Sequence, residues 1–306
     1  MVFSSLNPSF GCVRFSRRFS PFICWLNSLA GTCLCQGRVD MRNRRLEESI
    51  QASLDAGNNV WVVGDVHGFY QSMSELCAKL HLNVGDWVVF LGDLIDRGPN
   101  SFGVVYDVMH HPQYCSVRGN HEDMMVRQLT MENLRTPDLD VMLWMRNGGN
   151  TTVASYMAAV RSDEGALDED ALETLAAEHT TWMANLPTHL VLDRWRLVHA
   201  GYSPDAPLDE QRDEDLLWIR GAFHHAASPV DPQRTIVFGH TPTVGLPGLT
   251  AEDWGEVWHS DVRLEDGRSA AIGLDTCLYH GPKDRRALTA MNLQTGEVVQ
   301  QHRVEA

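Results

Sequence analysis

Long apolar runs are missing from this 306-residue chain. The nearest approach, Phe22 to Ala30, follows Pro21 and is broken by Asn27 and Ser28. It is too short and too polar to span a bilayer, so no membrane partner is expected. Positive charge is scarce beyond Arg45: the first 45 residues hold seven of the 25 basic residues and one of the 40 acidic ones, leaving the remainder at a net −21. So acidic a body repels a nucleic-acid backbone, which removes nucleic acid from the expected partners. Cysteine is scarce there too, with Cys77, Cys115 and Cys277 scattered and no CxxC pair anywhere. That usage excludes a disulfide framework or a cysteine zinc site and fits a reducing, cytoplasmic compartment. Internal repeats and low-complexity tracts are absent as well, which leaves a globular protein of one or two domains.

The first 57 residues read as a leader without fixed structure, or as an extension translated upstream of Met41. Arg17-Arg18 ahead of the apolar run also has the order of an export signal, the less favoured reading because no small-x-small cleavage site follows. From Asn58 onward the texture alternates between strand and helix signals, that of a layered α/β protein. Val60 to Gly64 reads as a short buried strand. Phe69, Met73, Leu76 and Leu80 then share one helix face. Trp87 to Leu91, a helix over 101–110 and Tyr114 to Val117 repeat the unit. About 122–186 reads as a helical insertion with Pro137 and Asn147-Gly148-Gly149-Asn150 as breakers. Strand signals return at 189–192, 197–199, 235–239, 270–274, 287–292 and 297–302 and read as a second sheet.

Five polar clusters fall where strands end: Gly64-Asp65-Val66-His67-Gly68, Gly92-Asp93-Leu94-Ile95-Asp96-Arg97-Gly98, Arg118-Gly119-Asn120-His121-Glu122, Val198-His199-Ala200-Gly201 and Phe238-Gly239-His240-Thr241. Loops after the carboxyl ends of strands line the ligand crevice of α/β sheets, so these five can converge. Together they offer two carboxylates (Asp65, Asp93), three imidazoles (His67, His199, His240) and one amide oxygen (Asn120). This oxygen and nitrogen set, without a thiolate, suits divalent manganese, iron or zinc. Six ligands exceed one zinc site but fit two ions sharing a carboxylate, an arrangement known for hydrolysis at phosphorus.

GDxHG, GDxxDRG, GNHE, the later HAG and GHT resemble the phosphoprotein phosphatase family of metallophosphoesterases. The wording "WVVGDVHG", "VRGNHE" and "FGHTP" is most similar to its bacterial and phage-type serine/threonine phosphatase branch. The resemblance covers 58–306. It implies a calcineurin-like β-sandwich of α/β/β/α layers with a helical insertion, and two divalent ions, manganese before iron or zinc. It implies that Asp65, His67 and Asp93 hold one ion and that Asp93, Asn120, His199 and His240 hold the other. It further implies His121 as general acid with Asp96 as its orienting partner, and Arg97, Arg118 and Arg220 as phosphate-binding groups. Glu122 is expected to partner a nearby arginine.

The activity so implied is hydrolysis of a phosphomonoester by a hydroxide held between two metals. The expected substrate is a phosphorylated protein, on serine or threonine with dual specificity as a variant, or a small phosphoester. Symmetrical dinucleoside tetraphosphate hydrolysis is the alternative, with Arg135, Arg146 and the turn Asn147 to Asn150 available to select a nucleotide. A non-catalytic phospho-binding module is the more remote one, since such a protein would lack a ligand or the acid. Oligomeric state is not legible.

Overall fold

The structure, a computed structural model, describes residues 42–130 and 137–306. The expectations for residues 1–41 therefore lie outside the described residues, as does Arg135. The leader reading needs correction at its end, because α1 (Arg44–Asp55) is a helix packed on the body of the protein. Asn43 caps it by accepting from Leu46 N, Ile50 is fully buried, and the Glu47 carboxylate accepts from Val191 N at 2.9 Å. Leu46, Ile50 and Leu54 lie four apart on one face of the helix, which is the face set against the core.

Two five-stranded sheets lie face to face, with strands numbered in chain order. In the first, β1 (Val60–Val63), β2 (Trp87–Phe90) and β3 (Tyr114–Ser116) run parallel, linked by the helices α2 (Tyr70–Lys79) and α3 (Ser101–His110). In the second, β4 (His189–Val191), β5 (Trp195–Val198), β6 (Thr235–Phe238), β7 (Trp258–His259) and β8 (Ala271–Gly273) are ordered β4-β5-β6-β8-β7, with β5, β6 and β8 parallel. The expectation that every later strand joins this second sheet fails for the last two. β9 (Ala287–Asn292) and β10 (Val298–His302) return to the first sheet, β9 pairing antiparallel with β1 on the edge that β2 leaves open. All six residues of β9 are buried there. A hydrophobic run does not say which edge it will pair with; β1 supplied an unpaired edge and β9 satisfies it.

Strand periodicity explains why β1 is apolar at every position. Val60 and Val62 face the second sheet, against Val89, Leu91, Leu190, Leu197, Val237 and Leu274. Trp61 and Val63 face outward beneath a helical layer. That layer also contains the helices of the central stretch: α4 (Asn120–Thr130), α5 (Pro137–Trp144), α6 (Asn150–Ala159) and α7 (Glu169–Ala184). Met125, Trp144, Tyr156, Leu172 and Met183 belong to the same core as Trp61 and Val63. Each such fully buried side chain contributes about 1.5–3 kcal/mol relative to exposure. The outer face of the second sheet is covered in turn by α8 (Asp213–Trp218) and α9 (Gly221–His224), through Leu216 and Phe223 on Val198, Ile236 and Phe238. The layers are thus helix, sheet, sheet, helix. No helix among the described residues is long and apolar enough to cross a membrane.

Candidate metal centre

Five of the six parallel strands end in a loop that carries a candidate site residue, and the loops of both sheets meet at one place. Asp65 and His67 follow β1, Asp93 follows β2, Asn120 opens α4 after β3, His199 follows β5 and His240 follows β6. All six are buried. Seven described residues other than glycine hold a positive φ in the left-handed region, and five of them are His67, Asp93, Asp96, Arg97 and His240. Backbone held this way in bulky residues concentrates at functional sites, because only dense surrounding structure can maintain it. Two glycines permit the close approach. A Cβ at Gly239 would collide with Asp65 Oδ1, and one at Gly119 with Asp93.

Two groups of donor atoms, each within 4.8 Å of one another, share Asp93: His67, Asp93 and His121, and Asp93, His199 and His240, with Asp65 beside the first and Asn120 beside the second. In the first, His67 Nε2 lies 3.5 Å from Asp93 Oδ2 and 3.8 Å from Asp65 Oδ2. In the second, His199 Nε2 lies 3.3 Å from Asp93 Oδ1, 2.8 Å from Asn120 Oδ1 and 3.1 Å from His240 Nδ1. His67 Nδ1 donates to Ile95 O at 3.0 Å and His199 Nδ1 to Leu91 O at 2.8 Å. Those bonds fix the tautomers and leave both Nε2 lone pairs facing inward, as in a metal-ligating histidine whose other nitrogen donates to a carbonyl.

The fit to cations can be tested on this geometry. With the Asn120 oxygen inward, a single proton on His240 Nδ1 is all that serves a cluster of acceptors lying 2.8–3.1 Å apart. A cation resolves that conflict. In the first group a cation is already visible: Arg97 Nη1 donates to His67 Nε2 at 2.6 Å, the lone pair that would face a metal. Burial and charge agree with this reading. Burial, then the charges of Asp275 and Asp93, push the Asp65 carboxyl well above its ordinary range. Burial holds His67, His199 and His240 below the ordinary imidazole range, and neutral rings are what a metal needs. The residues present fit divalent cations at both groups.

Beside the centre, His121 Nδ1 bonds Asp96 Oδ2 at 2.6 Å, and its Nε2 lies 3.8 Å from Asp93 Oδ2. Asp96 is itself held by Thr152 Oγ1 at 2.6 Å and by the Trp144 indole N–H at 3.0 Å. Burial alone would lower the His121 pKa, but the charges of Asp93 and Asp96 more than offset it and leave the ring raised.

The arginines are less alike than their motifs suggest. Arg97 points inward, within 3.1 Å of His121 Nε2 and with its guanidinium 4.0 Å over the Tyr279 ring. The turn at Gly148, φ 110°, supports its backbone by accepting from Arg97 N. Arg118 pairs with Asp213 at 3.2 Å, and Arg220 donates to Thr241 Oγ1 at 2.7 Å beside His240. The expectation for Glu122 is corrected. Among the described residues it pairs with no arginine; its carboxylate accepts from the backbone N–H groups of Asp93, Leu94 and Gly119 at 2.7–2.9 Å. It is a brace between two ligand loops, which a sequence neighbour list cannot show. Asp275, buried two residues past the end of β8 with its amide against Gly64, lies near the same strand ends and was not singled out by its sequence context.

These features are a two-sheet sandwich whose strand-end loops gather histidines and aspartates that could hold metal ions, and the family comparison agrees. The pattern of the calcineurin-like phosphoesterases matches residues 59–266, and the chain belongs to that family. Membership implies divalent metal ions at this centre and a hydrolase acting on phosphate esters. Among individual proteins, the chain is 29% identical over 205 residues to serine/threonine-protein phosphatase 1 of Salmonella typhimurium, covering 64% of this chain and 85% of the relative. It is 26% identical over 193 residues to serine/threonine-protein phosphatase 2 of Escherichia coli, covering 60% and 79%. An asymmetrical bis(5'-nucleosyl)-tetraphosphatase of Bacillus cereus is 27% identical over 208 residues, covering 59% and 78%. In fold, the chain is similar to a protein serine/threonine phosphatase from Saccharomyces cerevisiae, with TM-score 0.50, 14% identity and coverage of 94% and 92%.

Proposed function

We propose that the chain is a metal-dependent phosphomonoesterase acting on phosphoserine and phosphothreonine of protein substrates. Asp65, His67 and Asp93 hold one ion, and Asp93, Asn120, His199 and His240 the other, manganese being the proposed metal before iron or zinc. Such ions supply Lewis acidity and a water acidic enough to attack phosphorus near neutral pH.

The protein's own groups do the rest. Arg97, Arg118 and Arg220 present forked donors to the phosphate oxygens, offsetting the repulsion an acidic protein exerts on an anion. Arg97, which faces the His67 lone pair at 2.6 Å, would be free to turn to the phosphate where that lone pair holds an ion. His121 gives its Nε2 proton to the leaving seryl or threonyl oxygen as the P–O ester bond breaks and the bond to the attacking oxygen forms. Asp96, accepting from Nδ1–H, orients the ring and stabilises the imidazolium that carries that proton. Thr152 and Trp144 keep Asp96 facing the ring.

The observation that carries this reading is the buried His121–Asp96 pair set beside the bridging carboxylate. An alkoxide leaves poorly and needs such an acid. The names of the similar Salmonella and Escherichia proteins support the protein substrate. The free thiols of Cys77, Cys115 and Cys277 support a cytoplasmic location.

The Bacillus cereus relative favours a second reading, dinucleoside tetraphosphate hydrolysis. Assays of the manganese-loaded protein on a phosphoseryl peptide and on diadenosine tetraphosphate separate the two. The peptide is expected to turn over at least about tenfold better in kcat/KM. Preference for the nucleotide overturns the proposal, and its products, two ADP or ATP plus AMP, then show whether cleavage is symmetrical.

A further inference from the structure

One aromatic ring beside the centre has no role in the reading above. Tyr279, half-buried, lies on the loop between β8 and β9. Its ring stands edge-on to His67, with centroids 5.1 Å apart at 85°, and the central carbon of the Arg97 guanidinium lies 4.0 Å from its centroid. The other two proposed phosphate-binding arginines are held by oxygen, Arg118 by the Asp213 carboxylate and Arg220 by the Thr241 hydroxyl. Arg97 is different. Among the described residues neither a carboxylate nor a hydroxyl bonds its guanidinium, whose hydrogen bonds go to His67 Nε2 at 2.6 Å and His121 Nε2 at 3.1 Å.

In the proposed reaction neither of those nitrogens is left for Arg97, since the His67 lone pair holds an ion and His121 Nε2 carries the proton for the leaving group. The Tyr279 ring is the contact that remains. A ring face attracts a guanidinium without accepting any of its N–H groups in plane, so the donors stay available to a phosphate oxygen. The stem is fixed from the other side: the Arg97 backbone, φ 68°, donates to Gly148 O, and a Cβ at Gly148 would collide with Arg97 Cγ.

The loop is built to hold the ring where it is. Arg303 Nη1 donates to Tyr279 O at 3.4 Å and Arg286 Nε to Gly281 O at 3.0 Å. The His280 ring stacks on Tyr279, with centroids 4.6 Å apart at 25°, and its Nδ1 lies 2.7 Å from Cys277 Sγ. Gly281, φ 98°, lies so close to Trp254 that a Cβ there would collide with the indole.

We propose that Tyr279 is the positioning residue of Arg97, its ring face holding the guanidinium at the edge of the centre while leaving the N–H groups free for phosphate. This rests on the reading of Arg97 as a phosphate-binding group. It gives the β8–β9 loop a part in substrate binding that no motif in that loop announces.

The test separates the ring from the loop that carries it. Inorganic phosphate is titrated by calorimetry into the manganese-loaded, full-length parent and into Tyr279→Leu, Tyr279→Phe, Arg97→Ala and the double variant Tyr279→Leu/Arg97→Ala. Tyr279→Leu should bind phosphate about 3–10-fold more weakly with the manganese content of the parent, and Tyr279→Phe, which keeps the ring face, should bind it as the parent does. In the Arg97→Ala background Tyr279→Leu should add no further loss, whereas a residue that only shapes the loop would cost the same in both backgrounds. Equal losses in the two backgrounds overturn the proposal. So do parent-like binding by Tyr279→Leu, weakened binding by Tyr279→Phe, and loss of manganese from Tyr279→Leu, which would place the effect of the ring on His67. Should Tyr279→Leu not be recovered folded, Tyr279→Met undergoes the same comparison. Parent-like binding by Arg97→Ala overturns the reading on which the proposal rests, a failure distinct from that of Tyr279 alone.

Discussion

The two halves of the proposed centre are built differently. The first, at the ends of β1 and β2, gathers carboxylates around the single imidazole of His67, with Arg97 against its lone pair. The second, fed mainly by β5 and β6, gathers two imidazoles and an amide around Asp93, whose other oxygen serves the first half. The first half is held together by charge that demands a cation. The second is held by neutral donors whose tautomers are fixed by backbone carbonyls. Ligands of the first kind favour harder ions and ligands of the second borderline ones, so the two positions should differ in affinity and preference.

The comparison breaks most completely at the shared residue. Asp93→Ala should lose both ions by elemental analysis and lower turnover on the order of a thousandfold or more, whereas Asp65→Ala should deplete one. Two ions retained without Asp93 would remove the bridge from the account. Next in size, His121→Ala and Asp96→Asn should cost about 10²–10⁴-fold in kcat on a phosphoseryl peptide. On an aryl phosphate, whose leaving group needs little protonation, they should cost much less. Equal losses on both substrates contradict the general-acid role.

A smaller effect probes what joins the halves. Glu122→Gln leaves one carbonyl oxygen for the three N–H groups now braced by the carboxylate, and sets an NH2 against at least one of them. Chemical denaturation should show a loss of about 1–3 kcal/mol together with weaker binding of both ions. Loss of stability with metal affinity intact would show that the brace does not position the ligands.

The smallest effect lies away from the centre, in the helical layer. Burial pulls the His179 imidazole down to about 4, and Tyr156 Oη bonds its Nδ1. The unfolded chain takes up this proton near pH 6.5 while the native state resists it. Stability is therefore fully present above about pH 6.5 and declines as the pH falls toward the native value. In His179→Gln, which keeps an acceptor for Tyr156, that decline should be shallower in denaturant midpoints measured between pH 7 and 4.5.

Much of the site was legible because its residues are short motifs at strand ends, each with a glycine that permits the loop. Asp65, His67, Asp93, Asn120, His199 and His240 all lie together, and His121 lies beside Asp96. Less legible were residues whose partners are distant in the chain. Glu122 looks like a surface acid until the Asp93 and Leu94 amides are seen above it. Asp275 lacks a histidine or arginine neighbour to mark it. Arg97 sits in a phosphate-binding motif, yet its guanidinium lies against His67 and Tyr279. In the fold, β9 and β10 were recognisable as strands but not as members of the first sheet, and α1 was amphipathic without being recognised as packed.

By itself, the sequence determined the chemistry available: oxygen and nitrogen ligands without thiolates, one imidazole beside an acid, arginines for an anion, and short apolar strands to place them. These are properties of side chains and local periodicity, and they survive in one dimension. The tertiary structure decided which groups share a cation, which carboxylate braces, and which edge of β1 is closed by β9. Those outcomes rest on contacts such as His240 N to Asp65, 175 residues apart in the chain. Such contacts form only when two sheets bring their strand ends to one edge.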